Sequence, residues 1–153
     1  MLKDVSIIIP AAPHETAHEQ LIKYLSDTRA EIIVSSEGTR AKSLNAGAAQ
    51  ADQNILWFLH ADSRVHQENL MALEKSIMQY PDAIHYFDLG YSEGGLAALN
   101  AWGANIRSRL FGLPYGDQGF CMSKAVFQRL GGYPQNTPYG EDVLFIRLSL
   151  IHI

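Results

Sequence analysis

Three short apolar runs alternate with segments of helical periodicity over the first half of the chain, and this alternation restricts the fold more than any other feature. The apolar runs cover 5–10, 31–35 and 54–60, and the helical segments cover 16–26, 40–51 and 69–80. Strands that are apolar along their whole length are typical of a parallel sheet that is covered on both faces. The pattern therefore predicts an α/β fold, a layered sandwich around a mostly parallel central sheet.

The second half of the chain predicts shorter elements separated by turn-rich loops. The expected elements are a strand over 83–91, a helix over 96–111, a short strand over 120–122, a helix over 124–130 and a last helix from Asp142. Ser123 is the expected N-cap of the helix at 124–130, and Gly131 and Gly132 are expected to end it.

Length and charge restrict the class of protein. A chain of 153 residues suits a single domain, 1–153, that folds without a disulfide or a structural metal. The net charge of −4 argues against a nucleic-acid protein that depends on a general basic field. Cys121 is the single cysteine, so no intrachain disulfide forms, which fits a reducing compartment. The apolar end at 148–153 carries no capping signal, and we expect the domain to be truncated at its C-terminus.

The sequence contains no membrane span, because no window approaches the ~18 consecutive apolar residues that one requires. The apolar run at 5–9 is too short for the core of a signal peptide. These observations predict a cytoplasmic protein. They leave peripheral contact with a membrane open, and they do not indicate an oligomeric state.

Polar residues follow the third apolar run, where the carboxyl end of a parallel strand opens to solvent. Ligands of open α/β sheets bind at this edge. Asp62 lies directly after the run, and there a carboxylate can bind a hard divalent cation that bridges a diphosphate. His60 faces the same side if the strand continues. The alternative is that Asp62 or Ser63 caps the next helix.

The exit of the second apolar run carries acceptors followed by positive charge. Ser36 and Glu37 can accept hydrogen bonds from a base or a ribose, and Gly38 allows a close approach. Arg40 and Lys42 lie near the start of a helix, where phosphate is already favoured. The alternative is a plain turn and a solvated helix face.

Two polar pairs occur near glycines in the second half of the chain. Glu141 and Asp142 open the last helix, where they either complement the helix dipole or supply a general base over an acceptor hydroxyl. Asp117 and Gln118 lie between two glycines, and such a pair more often holds a loop than reacts.

The stretch His14-Glu15-Thr16-Ala17-His18 matches the H-E-x-x-H zinc pattern. On a helix, both imidazoles would lie on one face with Glu15 as the base, and Glu31 or Glu37 could be a third ligand. Pro13 instead places His14 at or before the first helical turn, which favours a loop that enters a helix.

Taken in order, these segments resemble the family 2 glycosyltransferases, which have the nucleotide-sugar-binding GT-A fold. The matching stretches are 6–10, 31–34, 37–39, 44–47, 59–62, 131–134 and 141–142. Three further stretches, 40–47, 58–62 and 113–119, resemble most closely the subgroup of arsenosugar-biosynthesis glycosyltransferases. The resemblance covers about 5–148 and implies a three-layer α/β/α sandwich with a mostly parallel central sheet.

The resemblance implies a UDP-sugar donor, an acceptor of unknown identity and a divalent cation, Mg or Mn. Asp142 would be the catalytic base, with Glu141 beside it in the acceptor site. Asp62 would hold the cation as part of the family's D-x-D motif, with His60 in place of the first Asp. The residues implied to bind the nucleotide sugar are Pro10, Glu15, Ser36, Glu37, Arg40, Lys42, Asn45 and Asp62, and those implied to line the donor-sugar or acceptor pocket are Gly116, Asp117 and Gln118.

The reaction that follows from the resemblance is an inverting displacement, in which Asp142 takes the acceptor proton while the acceptor oxygen attacks C1 of the sugar. The sequence departs from the family at Ser36-Glu37, where Asp-Asp is usual, and after Pro10, where the usual Asn is missing. His60, Ser36 and the short C-terminus leave two alternatives beside an enzyme of this family. These are a nucleotide-sugar-binding module without catalysis and, from the H-E-x-x-H match, a zinc hydrolase.

Overall fold

The computed structural model describes residues 2–88, 105–106, 114, 116–135 and 140–151. Four strands form one sheet: β1 (Val5–Pro10), β2 (Glu31–Ser35), β3 (Ile55–Phe58) and β4 (Cys121–Ser123). The helices with both ends in these ranges are α1 (His18–Leu25), α2 (Arg40–Gln50), α3 (Gln67–Gln79), α4 (Lys124–Arg129) and α5 (Glu141–Ile151). Residues 105–106 are also helical, and a 3-10 turn covers Gly116–Gln118.

The sheet has the order β2-β1-β3-β4, with β1 parallel to both neighbours and β4 antiparallel to β3. Ile8 pairs with Ile33 on one side and with Phe58 on the other. The prediction of a mostly parallel sheet is therefore confirmed. Because the three parallel strands end at the same edge, the loops that follow them lie side by side.

Each face of the sheet is covered by helices, and alternate residues of β1 divide between the two cores. Ile8 and Phe58 pack with α2, α4 and α5, while Ile7, Ile9 and Trp57 pack with α1 and α3. This division follows from the two-residue period of a strand. It explains why β1 is apolar at consecutive positions.

Gly47 allows α2 to lie unusually close to β1. A Cβ at Gly47 would come within 2.5 Å of Cγ2 of Ile8, whose side chain is fully buried. The Ala-rich inner face of α2 continues this close contact at Ala41 and Ala48. The position of α2 matters for the site, because its first turn reaches the carboxyl edge of the sheet.

The strand predicted at 83–91 is not formed over 83–88; residues 89–91 and most of the helix predicted at 96–111 lie outside the described residues. His85 makes one antiparallel bridge to Cys121. At the next pairing position, the Phe87 amide donates to the Gln118 carbonyl at 2.8 Å, but the return bond to the Phe87 carbonyl, at 3.0 Å, comes from the side-chain amide of Gln118. A ladder does not develop, because the 3-10 turn that ends at Gln118 replaces extended backbone there.

The shorter elements agree with the sequence. The Ser123 hydroxyl caps α4 by accepting from the Val126 amide at 3.2 Å, and Gly131 follows with a φ of +81°. Among the helices of the described residues, none has the length and apolar character that crossing a bilayer requires.

Candidate functional site

Arg40 connects three parts of the carboxyl edge. It is the first residue of α2, whose N-terminus is capped by the Thr39 hydroxyl. Its Nη1 donates to Oε1 of Glu141 at 3.0 Å, and its Nη2 lies at hydrogen-bond distance from Nε2 of His60. The guanidinium therefore joins the start of α2, the exit of β3 and the first turn of α5.

The contact with Arg40 determines the tautomer of His60. A guanidinium can only donate, so Nε2 of His60 accepts and the ring proton lies on Nδ1. Burial, and then the charge of Arg40, lower the pKa of His60, while Asp62, Asp117 and Asp142 act in the opposite direction. His60 is thus a neutral imidazole with three carboxylates in its electrostatic surroundings.

The two acidic residues of α5 are both buried, at 8% exposure each. Glu141 is paired with Arg40, and Oδ1 of Asp142 accepts from the Val143 amide at 2.8 Å. A carboxylate in a first turn is stabilised by the helix dipole, which agrees with the first of the two interpretations made from the sequence, and the role of a general base stays a prediction.

Tyr133 is a site residue that the sequence did not single out. Its side chain is 3% exposed, and burial raises the pKa of its hydroxyl far above the ordinary value. Asp142 and Glu141 also raise this pKa, and Arg40 lowers it, so the phenol lies within electrostatic reach of all three. The signal available in the sequence was Gly131-Gly132-Tyr133-Pro134, one of the stretches that carries the family resemblance.

The exit of β2 presents the predicted nucleotide-facing residues to solvent. Ser36, Glu37 and Lys42 are exposed. The Glu37 amide donates to the Ser43 hydroxyl at 2.8 Å, and Gly38 has a φ of +86°, so the loop is held against α2. The loop and the first turn of α2 leave these three side chains at the same edge of the sheet as Arg40.

The loop that follows β1 is held by hydrogen bonds between its own residues. Oε2 of Glu15 accepts from the Ala12 amide at 2.8 Å, and the Glu15 amide donates to the Ala12 carbonyl at 3.0 Å. Pro10 is the last residue of β1 and is paired in register with Ser35. In this arrangement Glu15 holds a turn beside the site.

The zinc interpretation of the H-E-x-x-H match is wrong. Its geometry requires one helix, whereas α1 begins at His18 and His14 has a φ of +70°. Glu31 is at the amino end of β2, where it accepts from the Ser6 hydroxyl. Over the described ranges, no three His, Cys, Asp or Glu side chains come together in a group that could hold a metal ion.

Asp62 is exposed at the exit of β3, and it does not cap the next helix. That helix, α3, begins five residues later at Gln67, and the Asn69 side chain accepts from the His66 amide at 2.8 Å. Mg²⁺ is often held by one or two carboxylates together with substrate phosphates and water. Asp62 fits such a site, whereas His60 would first have to release Arg40 from Nε2.

The 3-10 turn gives the two members of the Asp117-Gln118 pair different surroundings. Asp117 is exposed, whereas Gln118 is 1% exposed and bonded to the Phe87 backbone, so Gln118 holds the loop. Gly116 begins the turn. Asn45 is likewise engaged: its side-chain amide forms two hydrogen bonds of 2.9 Å to the backbone of Tyr133.

No protein-family model matches the chain, and no curated protein matches its sequence. Solved structures of S. aureus TarS are similar to it. The crystal structure of TarS 1-349 matches with a TM-score of 0.68 and 13% identity, over 95% of this chain and 55% of that one.

Two further TarS 1-349 structures, in complex with UDP-GlcNAc and with UDP, each match with a TM-score of 0.63 and 14% identity. They cover 95% and 94% of this chain, and 52% and 54% of theirs. The chain thus spans about half the length of these TarS structures. At this identity the similarity concerns the fold alone: the chain has the GT-A-type α/β fold that was predicted, and it shares this fold with TarS.

Proposed function

We propose that the chain is the donor-binding part of an inverting glycosyltransferase that takes its sugar from a UDP-sugar. The observation that carries the proposal is the convergence of Arg40 and His60 with Glu141 and Asp142 at the carboxyl edge of the sheet. TarS, which has the same fold, has been crystallised with UDP and with UDP-GlcNAc.

The donor would lie across the exits of β2 and β3. Ser36 and Glu37 are exposed acceptors suited to the hydroxyl and N–H groups of a uridine. Arg40 and Lys42 carry positive charge at the N-terminus of α2, where the helix dipole also favours the diphosphate. A cation bound through Asp62 would offset the charge that develops on the leaving diphosphate.

Asp142 is the proposed base. It would take the proton of the acceptor hydroxyl while the acceptor oxygen forms a bond to C1 of the sugar and the bond from C1 to the UDP oxygen breaks. The electron pair leaves with UDP, so a single displacement inverts the anomeric centre without an enzyme nucleophile. Tyr133 keeps its proton and would lie beside the reacting groups as a neutral hydroxyl.

We also propose that the chain belongs to the subgroup of arsenosugar-biosynthesis glycosyltransferases. The stretches 40–47, 58–62 and 113–119 resemble this subgroup, and in that case they would help to form the acceptor and donor-sugar pocket. A panel of acceptors tested with one UDP-sugar would examine this assignment.

The proposal is tested by binding and turnover with the wild-type chain. We expect UDP and a UDP-sugar to raise the melting temperature, more strongly with Mn²⁺ than with EDTA. We expect UDP release from the UDP-sugar, and a loss of about 10²–10⁴-fold in kcat for Asp142→Asn with UDP binding retained.

Asp27→Asn is the matched control, since Asp27 is exposed after α1, on the side of the sheet away from the carboxyl edge. Asp62→Asn should abolish the effect of Mn²⁺ on the UDP-induced shift and leave the shift in EDTA unchanged. Failure to bind UDP and to turn over any UDP-sugar would refute the proposal. If the wild type binds UDP but turns over no UDP-sugar, and Asp142→Asn changes neither result, the chain is instead a binding module.

A further inference from the structure

Asn45 contacts the backbone of a residue 88 positions away with both ends of its side-chain amide. Nδ2 donates to the carbonyl of Tyr133, and Oδ1 accepts from the amide of Tyr133, each at 2.9 Å. The opposite orientation of the amide would place a donor against a donor, so the pair of bonds fixes the side chain. Neither polar atom of Asn45 is turned toward the proposed donor site in this arrangement.

The turn that carries Tyr133 is shaped for this contact. Gly132 has a φ of +73°, a conformation that favours glycine. A Cβ at Gly132 would come within 2.8 Å of Oδ1 of Asn45. Backbone conformation and space therefore both require glycine next to the residue that Asn45 holds.

The ring of Tyr133 packs against α5 and so connects the Tyr133 turn to that helix. It stacks on Phe145 with centroids 4.6 Å apart and meets Phe58 edge-on at 5.3 Å. Phe145 is fully buried and lies one helical turn after Glu141, so its ring fixes the first turn of α5 against the sheet. The chain of contacts runs from α2 through Asn45 and Tyr133 to the helix that carries Asp142.

We propose that Asn45 is a positioning residue, which places the acceptor-side carboxylates by holding the Tyr133 turn, rather than a ligand of the nucleotide sugar. This inference rests on the proposed function for its catalytic consequence, but the structural link stands without it. Arg40 contacts Glu141 independently, so loss of Asn45 loosens α5 without releasing it.

The test combines hydrogen exchange with kinetics on Asn45→Ala. We expect amide exchange over 143–147 to become about tenfold faster while exchange in β1, β2 and β3 is unchanged. We expect kcat to fall about tenfold or more, because the base is misplaced, with the donor KM and the Kd for UDP changed by less than about twofold.

Two variants serve as controls. Gln50→Ala removes an exposed amide from the end of the same helix and should leave every readout unchanged. Tyr133→Phe keeps the ring and the backbone contact, so exchange over 143–147 should stay slow even if the missing hydroxyl lowers kcat. If Asn45→Ala does not fold, Asn45→Asp gives the same test, since its carboxylate can still accept from the Tyr133 amide but faces the Tyr133 carbonyl with an acceptor in place of the donor.

Unchanged exchange over 143–147 would overturn the inference. So would faster exchange throughout β1 to β3, which would mean general support of the fold, or a fall in UDP affinity in parallel with kcat, which would make Asn45 a ligand. If the wild type neither binds UDP nor turns over a UDP-sugar, the proposed function fails, and hydrogen exchange alone then decides the role of Asn45.

Discussion

At the scale of single residues, Arg40 contacts two other site residues at once. Its guanidinium lies at hydrogen-bond distance from both His60 and Glu141, and the Glu141 side chain is only 11% exposed. A carboxylate at that depth needs its partner, because an unpaired buried charge is costly. Arg40 is 33% exposed, so it can also be reached by a ligand from solvent.

Arg40→Ala should lower the free energy of unfolding by about 1–3 kcal/mol, because Glu141 loses its charged donor. If the pair is the cause, Arg40→Ala combined with Glu141→Gln should cost less than the sum of the single changes, with a coupling of about 1 kcal/mol. Urea unfolding of the four proteins measures this cycle. Arg29→Ala, at an exposed arginine outside the site, is the control, and strictly additive effects would contradict the pairing.

The position of several candidate site residues at the carboxyl edge could be predicted from the sequence, but their contacts could not. The carboxyl-edge rule places Arg40 and Asp62 at one end of the sheet from their positions after β2 and β3. It does not reveal that Arg40 pairs with Glu141, 101 positions away, since that contact depends on how α5 docks. Asn45 was expected to face the donor because the resemblance is a pattern of letters and does not include hydrogen-bond partners.

At the scale of secondary structure elements, the contact between α2 and β1 sets the position of the donor side. Gly47 in α2 faces Ile8, and the fully buried Ile8 side chain has no open space into which it can move. Propensity alone would favour alanine at a helical glycine by about 1 kcal/mol. The close approach reverses this preference.

Gly47→Ala should therefore destabilise the protein, by about 1–3 kcal/mol, because the added methyl overpacks the core between α2 and β1. The comparison is Gly131→Ala, where a Cβ meets nothing within 4 Å and the φ of +81° contributes strain of about 1–2 kcal/mol. Thermal unfolding of both variants would measure these effects. A Gly47→Ala variant more stable than the wild type would show that α2 can retreat from β1.

Apolar periodicity predicts β1 to β3 and α1 to α3 to within a few residues, because each is buried by its own pattern. The strand expected at 83–91 does not form over 83–88, for a reason that apolar periodicity cannot indicate. Its partner near Gln118 is a 3-10 turn, so only one backbone bond forms at the next pairing position, and a side-chain amide supplies the return bond. Tertiary context of this kind overrides a local β pattern.

At the scale of the whole molecule, unfolding exposes two histidines, His85 and His60, that the folded chain holds neutral. His85 is half-buried between Ser76 and Tyr80: its Nδ1 lies 2.9 Å from the Ser76 hydroxyl and its Nε2 lies 3.1 Å from the Tyr80 carbonyl. The Tyr80 carbonyl can only accept, so Nε2 carries the proton of the neutral ring. Burial lowers the pKa of His85, and burial also lowers the pKa of His60.

The sign of the pH dependence follows from these directions. A histidine whose pKa is lowered in the folded state takes up its proton more readily when the chain unfolds, so stability rises with pH. The effect begins as the pH falls below the unfolded pKa of about 6.5 and is absent well above it. Glu31 affects stability only at lower pH, below its ordinary pKa of 4.5, because the hydrogen bond from Ser6 lowers the pKa of its carboxyl.

We therefore expect the urea midpoint to be lower at pH 5.5 than at pH 7.5, a window that spans the unfolded-state pKa of His60 and His85 and lies above that of Glu31. His85→Gln should reduce this difference, because the remaining dependence comes from His60, even though the variant is less stable at both pH values. His14→Gln changes an exposed histidine in the loop after β1 and should keep the full difference. Equal midpoints for the wild type at both pH values, or an undiminished difference in His85→Gln, would show that His85 is not held neutral by its burial.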